Sequence, residues 1–165
     1  MSGVIWITGL SGVGKSALAA AVVARLRRDG TCAALLDGDD LRVALGAEVD
    51  AYDRASRRRL AEQYARLAQL LAAQGITVVA AVIALFHEIH ALNRASGRRY
   101  LEVWLRAAEE ERVARARGEL ALGARVGRDI APEFPREPHL VFDNDYREAT
   151  LARLVERVRV AWLAP

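Results

Sequence analysis

The sequence is poor in several things, and each shortage excludes something. It holds a single cysteine, Cys32, so no intrachain disulfide can form. Cys32 opens a run of strand-like residues and is expected to be a small core side chain. No apolar run approaches the ~20 residues of a membrane-spanning helix. The chain opens directly on a strand-like run, so no signal peptide is expected, and a reducing, cytoplasmic location follows as the default. Lysine is almost missing: of 24 Lys+Arg, only Lys15 is lysine. An arginine-borne positive charge suits planar recognition of phosphate or sulfate, and a GC-rich genome would produce the same bias. Three Trp, four Tyr and three Phe, mostly at core-like positions, argue against a nucleic-acid binder, which needs aromatics interleaved with a clustered basic face. The net charge is only +3, and its basic residues are dispersed. His87 and His90 lack a partner cysteine or a third histidine nearby, so no zinc site is expected there. No D-x-x-G switch follows the second strand-like run and no N-K-x-D occurs, which argues against a GTPase. At 165 residues the chain is too short for a mechanical ATPase, and one domain spanning 1–165 is expected.

What is present begins at Gly9-Leu10-Ser11-Gly12-Val13-Gly14-Lys15-Ser16, which fits the phosphate-binding loop pattern G-x-x-x-x-G-K-[ST]. Glycines let the backbone curl so that successive amide N–H groups face phosphate oxygens. The candidate ATP-binding residues are therefore Gly9, Ser11, Gly12, Gly14, Lys15 and Ser16. Lys15 can reach the β- and γ-phosphates as a point charge, and the Ser16 hydroxyl can serve Mg²⁺. The context fits: Val4 to Ile7 reads as a buried strand, and Ala17 to Arg28 as a helix whose N-terminus points its dipole at the phosphates.

Short strand-like runs and helical periods then alternate. Cys32 to Leu36 reads as a second strand ending at Asp37-Gly38-Asp39-Asp40, and Leu41 to Leu45 as a short helix stopped by Gly46. Asp53 is placed to cap a long helix in which Leu60, Tyr64, Leu67, Leu70 and Leu71 mark one apolar face. Arg54, Arg57, Arg58 and Arg59 crowd its first turns, where cations oppose the helix dipole unless an anion lies near. Ile76 to Ile83 reads as a fully buried strand, Leu85 to Ala95 as a helix, Tyr100 to Leu105 as a fourth strand, and Ala107 to Arg117 as a charged helix. Residues about 112–138 carry Arg112, Arg115, Arg117, Arg125 and Arg128 together with Gly118, Gly123, Gly127, Pro132, Pro135 and Pro138, and read as a lid. Leu140 to Phe142 is a fifth strand and Arg147 to Trp162 a closing helix. The expected fold is α/β: a three-layer sandwich with a five-stranded parallel sheet, like that of P-loop nucleoside kinases.

Open α/β sheets place their chemistry at the carboxyl ends of the strands. An aspartate at such a tip beside the phosphate loop can hold Mg²⁺ or take the proton of an attacking hydroxyl. Asp37 and Asp39 can divide these two tasks, with Ser16 and Asp37 as the candidate metal ligands and Asp39 as base or metal partner, and Asp40 is assigned to capping the following helix. Lys15, Asp37 and Asp39 are the candidate catalytic residues.

Several motifs occur in an order that resembles the adenylylsulfate (APS) kinase family. Trp6 to Ser16 is similar to the start of that family, and Leu36-Asp37-Gly38-Asp39-Asp40-Leu41-Arg42 to its L-D-G-D-N-x-R segment. Asp53-Arg54 with the following arginines resembles its D-R-x-x-N-x-R helix start. Arg117-Gly118-Glu119-Leu120 and Gly127 to Pro135 are looser matches to its lid. The resemblance implies ATP-dependent phosphorylation of a ribose 3′-hydroxyl on a nucleotide. It implies ATP and Mg²⁺ as cofactors, a small-molecule nucleotide acceptor as partner, and neither nucleic acid nor membrane; a homodimer is admitted as the assembly. By the same resemblance Arg42 and Arg54 bind the acceptor's anionic linkage, Ile83 lines its site and Phe86 stacks near its base. The chain departs from the family where I-S-P-Y is replaced by Ile83-Ala84-Leu85-Phe86, where the pre-lid K-G-L-Y stretch is absent, and where Arg57 replaces an asparagine. These departures resemble a branch whose acceptor is a cytidine-diphosphate-linked amidate of surface-sugar decoration. They also leave open a nucleotide-binding regulatory protein without catalysis.

Overall fold

A computed structural model describes residues 1–46, 53–116 and 129–164. Residues 117–128 of the lid expected over 112–138, including Arg117, Arg125, Gly127 and Arg128, lie outside the described residues. The chain alternates β1 (Gly3–Thr8), α1 (Lys15–Arg28), β2 (Ala33–Asp37), α2 (Gly38–Ala44), α3 (Arg54–Ala73), β3 (Thr77–Val82), α4 (His87–Arg94), β4 (Tyr100–Ala107), α5 (Glu109–Ala116), β5 (Leu140–Asn144) and α6 (Glu148–Leu163). The five strands form one sheet in the order β2-β3-β1-β4-β5, with every pair parallel. Each strand and helix expected from the sequence is found within a few residues of its expected bounds.

The pleat of β1 explains the layers, because successive side chains point to opposite faces. Ile5 and Ile7 join a cluster with Val103, Leu105, α1 and α6. Val4 and Trp6 join another with Val78, Ala80, α3 and α4. All six residues of β1 are buried, as a central parallel strand covered on both faces requires.

Three local expectations are corrected. The inner face of α3 is Ala61, Tyr64, Ala65, Ala68 and Ala72 rather than a leucine stripe. Leu60, Leu67 and Leu71 flank it half-buried, and Leu70 is 57% exposed. Small side chains let the helix sit close against the face that already holds the Trp6 indole, so volume rather than hydrophobicity sets its rotation. Cys32 is exposed, not a core residue. It precedes the first paired residue of an edge strand, where only its carbonyl is engaged, by the Thr77 amide at 2.8 Å. The cap of α2 is Asp37, which accepts the Asp39 N–H, and not Asp40. Asp53 caps α3 as expected, accepting the Ser56 N–H at 2.9 Å.

Arginines opening α3 find partners. Arg58 pairs with Glu62 and with Glu88 at 3.1 Å, Arg59 reaches the Ser56 hydroxyl, and Arg54 pairs with Glu133. Below the site, the wholly buried Glu102 of β4 pairs with Arg94 of α4, which also donates to the Glu137 carbonyl. The Glu102 N–H donates to His139 Nδ1 at 2.9 Å. This network ties the far end of α4 to the segment leading into β5.

Candidate active site

Parallel strands bring all their carboxyl ends to one edge, and the site is built there. The phosphate loop leaves β1 at Gly9 and enters α1 with Gly14 as N-cap. Gly12 and Gly14 take φ of 81° and 95°, left-handed conformations that side chains oppose. A Cβ at Gly12 would lie 2.3 Å from the Arg112 carbonyl oxygen, so α5 packs directly on the loop. No acidic residue stands in the first turn of α1 and no side chain caps it, so the positive end of the helix faces the loop uncompensated. Lys15 is buried, and its ammonium donates to the Leu10 carbonyl at 2.8 Å, drawn across the loop it would serve.

The tip of β2 stands opposite. The Ser16 hydroxyl donates to Asp37 Oδ2 at 2.5 Å, while Asp37 Oδ1 accepts the Asp39 N–H at 3.0 Å. One carboxylate therefore joins the phosphate loop to the turn that carries Asp39. Asp39 itself pairs with Arg42, one turn along α2. Tyr64 of α3 holds this turn from beneath, its hydroxyl donating to the Gly38 carbonyl at 3.3 Å. Burial pushes the Tyr64 phenol up to about 12, so it stays a donor at neutral pH.

The residues expected to bind an acceptor gather beside this, at the ends of β3 and β4. The Thr8 hydroxyl donates to the Ile83 carbonyl and pins the turn after β3. Phe86 follows as the N-cap of α4 but is only 2% exposed, with the Arg54 guanidinium 5.5 Å over its ring. The ring face expected to meet a base is thus covered by the arginine expected to meet an anion. Arg54 in turn donates to Glu133 Oε1, and Glu133 Oε2 accepts the His87 N–H at 2.8 Å, closing the first turn of α4. Burial works to raise the Glu133 carboxyl, but the His87 amide and Arg54 outweigh it and hold it below the ordinary range. His87 Nε2 lies 3.0 Å from the Phe134 carbonyl oxygen. Phe134 stacks on Trp104 of β4 at 5.2 Å, and Arg106 covers Trp104. Glu133 and Phe134 of the expected lid thus pack against Arg54, the start of α4 and Trp104.

Glu133, Trp104, Phe134, Asn144 and Tyr146 stand at the site without having been singled out from the sequence. Asn144 and Tyr146 had a signal: they lie at the carboxyl end of β5, where the strand-tip rule applied to Asp37 applies equally. Glu133 lies within the Gly127–Pro135 run, but that run does not reveal which basic residue it meets. Ser16 and Asp37 offer a hydroxyl and a carboxylate within hydrogen-bond reach, the hard oxygen donors Mg²⁺ prefers. Among the described residues no group of three or more His, Cys, Asp and Glu is placed to hold a metal. A cation here would complete its shell with water and substrate phosphate, as Mg²⁺ commonly does. Also among the described residues, no helix is long and apolar enough to cross a membrane.

The profile of the adenylylsulphate kinase family matches residues 1–143. The chain belongs to that family. A cytidine diphosphoramidate kinase of Campylobacter jejuni is 34% identical over 151 residues, covering 87% of this chain and 87% of that protein. An adenylyl-sulfate kinase of Paraburkholderia xenovorans is 40% identical over 132 residues, 79% of this chain and 72% of the relative. A Mycobacterium tuberculosis APS kinase, solved in complex with AMPPNP and APS, superposes with a TM-score of 0.82 at 28% identity over 98% of this chain and 97% of that one. The family resemblance read from Trp6–Ser16 and Leu36–Arg42 is therefore correct, and the α/β P-loop kinase fold with it. As a family member the chain is a phosphotransferase, a kinase with a P-loop nucleotide-binding site.

Proposed function

We propose that the chain transfers the γ-phosphate of ATP to the ribose 3′-hydroxyl of a small nucleotide whose 5′ end carries an anionic anhydride linkage. The observation that carries this reading is the hydrogen-bonded run from Ser16 through Asp37 to the Asp39 N–H, which joins a phosphate loop to the turn that carries the exposed, Arg42-paired Asp39 carboxylate. The loop amides and Lys15 bind the β- and γ-phosphates. Ser16 and Asp37 would hold Mg²⁺, which when bound would supply positive charge to offset the negative charge of the phosphates. Asp39 accepts the proton of the 3′-hydroxyl as its oxygen bonds to the γ-phosphorus and the bond to the β,γ-bridging oxygen breaks, releasing ADP. Arg42 is held by Asp39 and Arg54 by Glu133, so both are poised to exchange a carboxylate partner for the acceptor's anionic linkage. That exchange also takes the Arg54 guanidinium off Phe86 and opens the ring to the acceptor's base. Residues 129–134, packed against α4 and Trp104, supply the wall that excludes water from transfer.

Two acceptors fit this chemistry. Adenylylsulfate is supported by the family and by relatives such as the Paraburkholderia enzyme. A cytidine-diphosphate-linked amidate is supported by the Campylobacter relative and by the departures at Ile83-Ala84-Leu85-Phe86. Coupled ADP release measured with adenylylsulfate and with cytidine diphosphoramidate in parallel tests both. Acceptor-dependent release with either supports the reading and names the acceptor. No acceptor-dependent release with either, from protein that binds Mg·ATP, overturns it in favour of a nucleotide-binding protein without catalysis.

A further inference from the structure

A peptide unit is a rigid plane in which C=O and N–H point opposite ways. A loop that grips phosphate through its amides must therefore turn the matching carbonyls outward, and each needs a donor on its outer side. In this chain two of those donors come from one short turn. Asn144, the last residue of β5, donates from Nδ2 to the Val13 carbonyl at 2.9 Å. Tyr146, two residues on, donates its hydroxyl to the Gly12 carbonyl at 2.8 Å. These bonds fix the Gly12–Val13 and Val13–Gly14 peptide planes, and so the direction of the Val13 and Gly14 N–H groups.

The turn is built for this contact. Asn144 Oδ1 accepts the Tyr146 N–H at 3.0 Å, which leaves its amide nitrogen to face the loop. A Cβ at Gly14 would lie 2.6 Å from that nitrogen, so the side chain of Asn144 fills the space a larger residue would need. Tyr146 has φ of 60°, a left-handed conformation that non-glycine side chains disfavour. The strained backbone turns the phenol back over the loop. Arg115 of α5 lies 3.9 Å over the ring and holds it there. Burial raises the phenol's pKa, so the hydroxyl remains protonated and able to donate.

We infer that Asn144 and Tyr146 are positioning residues for the triphosphate, setting the amide geometry of the phosphate loop from outside it. This rests on the loop being the ATP site and is independent of which nucleotide accepts the phosphate. The test is calorimetric titration of the purified full chain with Mg·AMPPNP and no acceptor, for wild type, Tyr146→Phe and Asn144→Ala. Tyr146→Phe keeps the ring under Arg115 and removes only the hydroxyl. Losing one such hydrogen bond weakens binding about 3–10-fold, and Asn144→Ala, which also frees the Tyr146 amide, weakens it about tenfold or more. In turnover the ATP KM rises by the same factors while the acceptor KM holds. Tyr146→Phe is the safer variant should Asn144→Ala fold poorly. Binding by Tyr146→Phe within twofold of wild type overturns the inference and leaves the ATP site standing. Parallel losses of ATP and acceptor affinity with a lowered Tm overturn it in favour of a structural role. Wild-type protein that does not bind Mg·AMPPNP overturns the ATP site and this inference together.

Discussion

Asp37 does two jobs with one carboxylate, and the two are separable by substitution. Its Oδ2 receives the Ser16 hydroxyl at 2.5 Å, and its Oδ1 caps α2 through the Asp39 N–H at 3.0 Å. Asparagine is as good an N-cap as aspartate. Asp37→Asn therefore keeps the helix start and removes only the charge beside Ser16. Losing a carboxylate that orients a metal ligand costs about 10–100-fold in metal affinity or activity, or about 1.4–2.7 kcal/mol. The expected result is a fall of that size in kcat/KM for ATP, partly recovered at high Mg²⁺, with Tm within about 1–2 °C of wild type. Asp37→Ala suffers the same catalytic loss and also loses the cap, worth about 1 kcal/mol. A domain of this size then melts about 2–4 °C lower. The cap matters because α2 has only seven residues and a short helix depends heavily on its ends. Thermal unfolding by circular dichroism and coupled ADP release at graded Mg²⁺ read the two effects separately. Wild-type kcat/KM in Asp37→Asn would refute the metal-side role. Equal melting losses in both variants would refute the cap.

Asp39→Asn is expected to lower phosphoryl transfer about 10²–10⁴-fold while leaving Mg·ATP binding intact. Its exposed pair with Arg42 is worth about 0–1 kcal/mol, so a fall in activity cannot be blamed on unfolding, and unchanged turnover removes Asp39 from the proton-accepting role. Arg54→Ala is expected to raise the acceptor KM well above any change in the ATP KM; equal rises in steady-state kinetics would assign Arg54 to structure, through Glu133 and α4. Stability is expected to fall as pH drops below about 6.5, the ordinary histidine value. Burial lowers His90, against the pull of Glu102, and burial with Arg94 lowers His139. Between the lowered folded values and the ordinary one, the unfolded chain binds more protons, so unfolding free energy rises with pH across that window. Urea midpoints measured from pH 5.5 to 7.5 check this, and the slope should flatten in His90→Gln combined with His139→Gln; a flat wild-type profile refutes the argument.

The phosphate loop, the tip of β2 and the alternation of strands and helices were legible because each rests on local chemistry. Glycine at Gly12 and Gly14, an apolar run at Val4–Ile7 and a cap at Asp53 act within a few residues of themselves, so adjacent letters carry the information. The rotation of α3 was not legible in this way. Leu70 and Ala68 both lie within a plausible apolar stripe, and only the bulk of Trp6 on the sheet decides that the alanines face inward. The exposure of Cys32 likewise depends on β2 being an edge strand, which is a property of strand order.

By itself the sequence determined the α/β P-loop kinase fold and the family, and it named Lys15, Ser16, Asp37 and Asp39 as candidate groups for nucleotide binding and transfer. Tertiary structure alone decided which distant groups meet. Arg54 and Glu133 stand 79 residues apart, Tyr146 and Gly12 134 apart, and Asn144 and Val13 131 apart. No local propensity relates residues so distant. They meet because a parallel sheet delivers every strand's carboxyl end to one edge, and only strand order and side-chain volume determine which neighbours arrive there together.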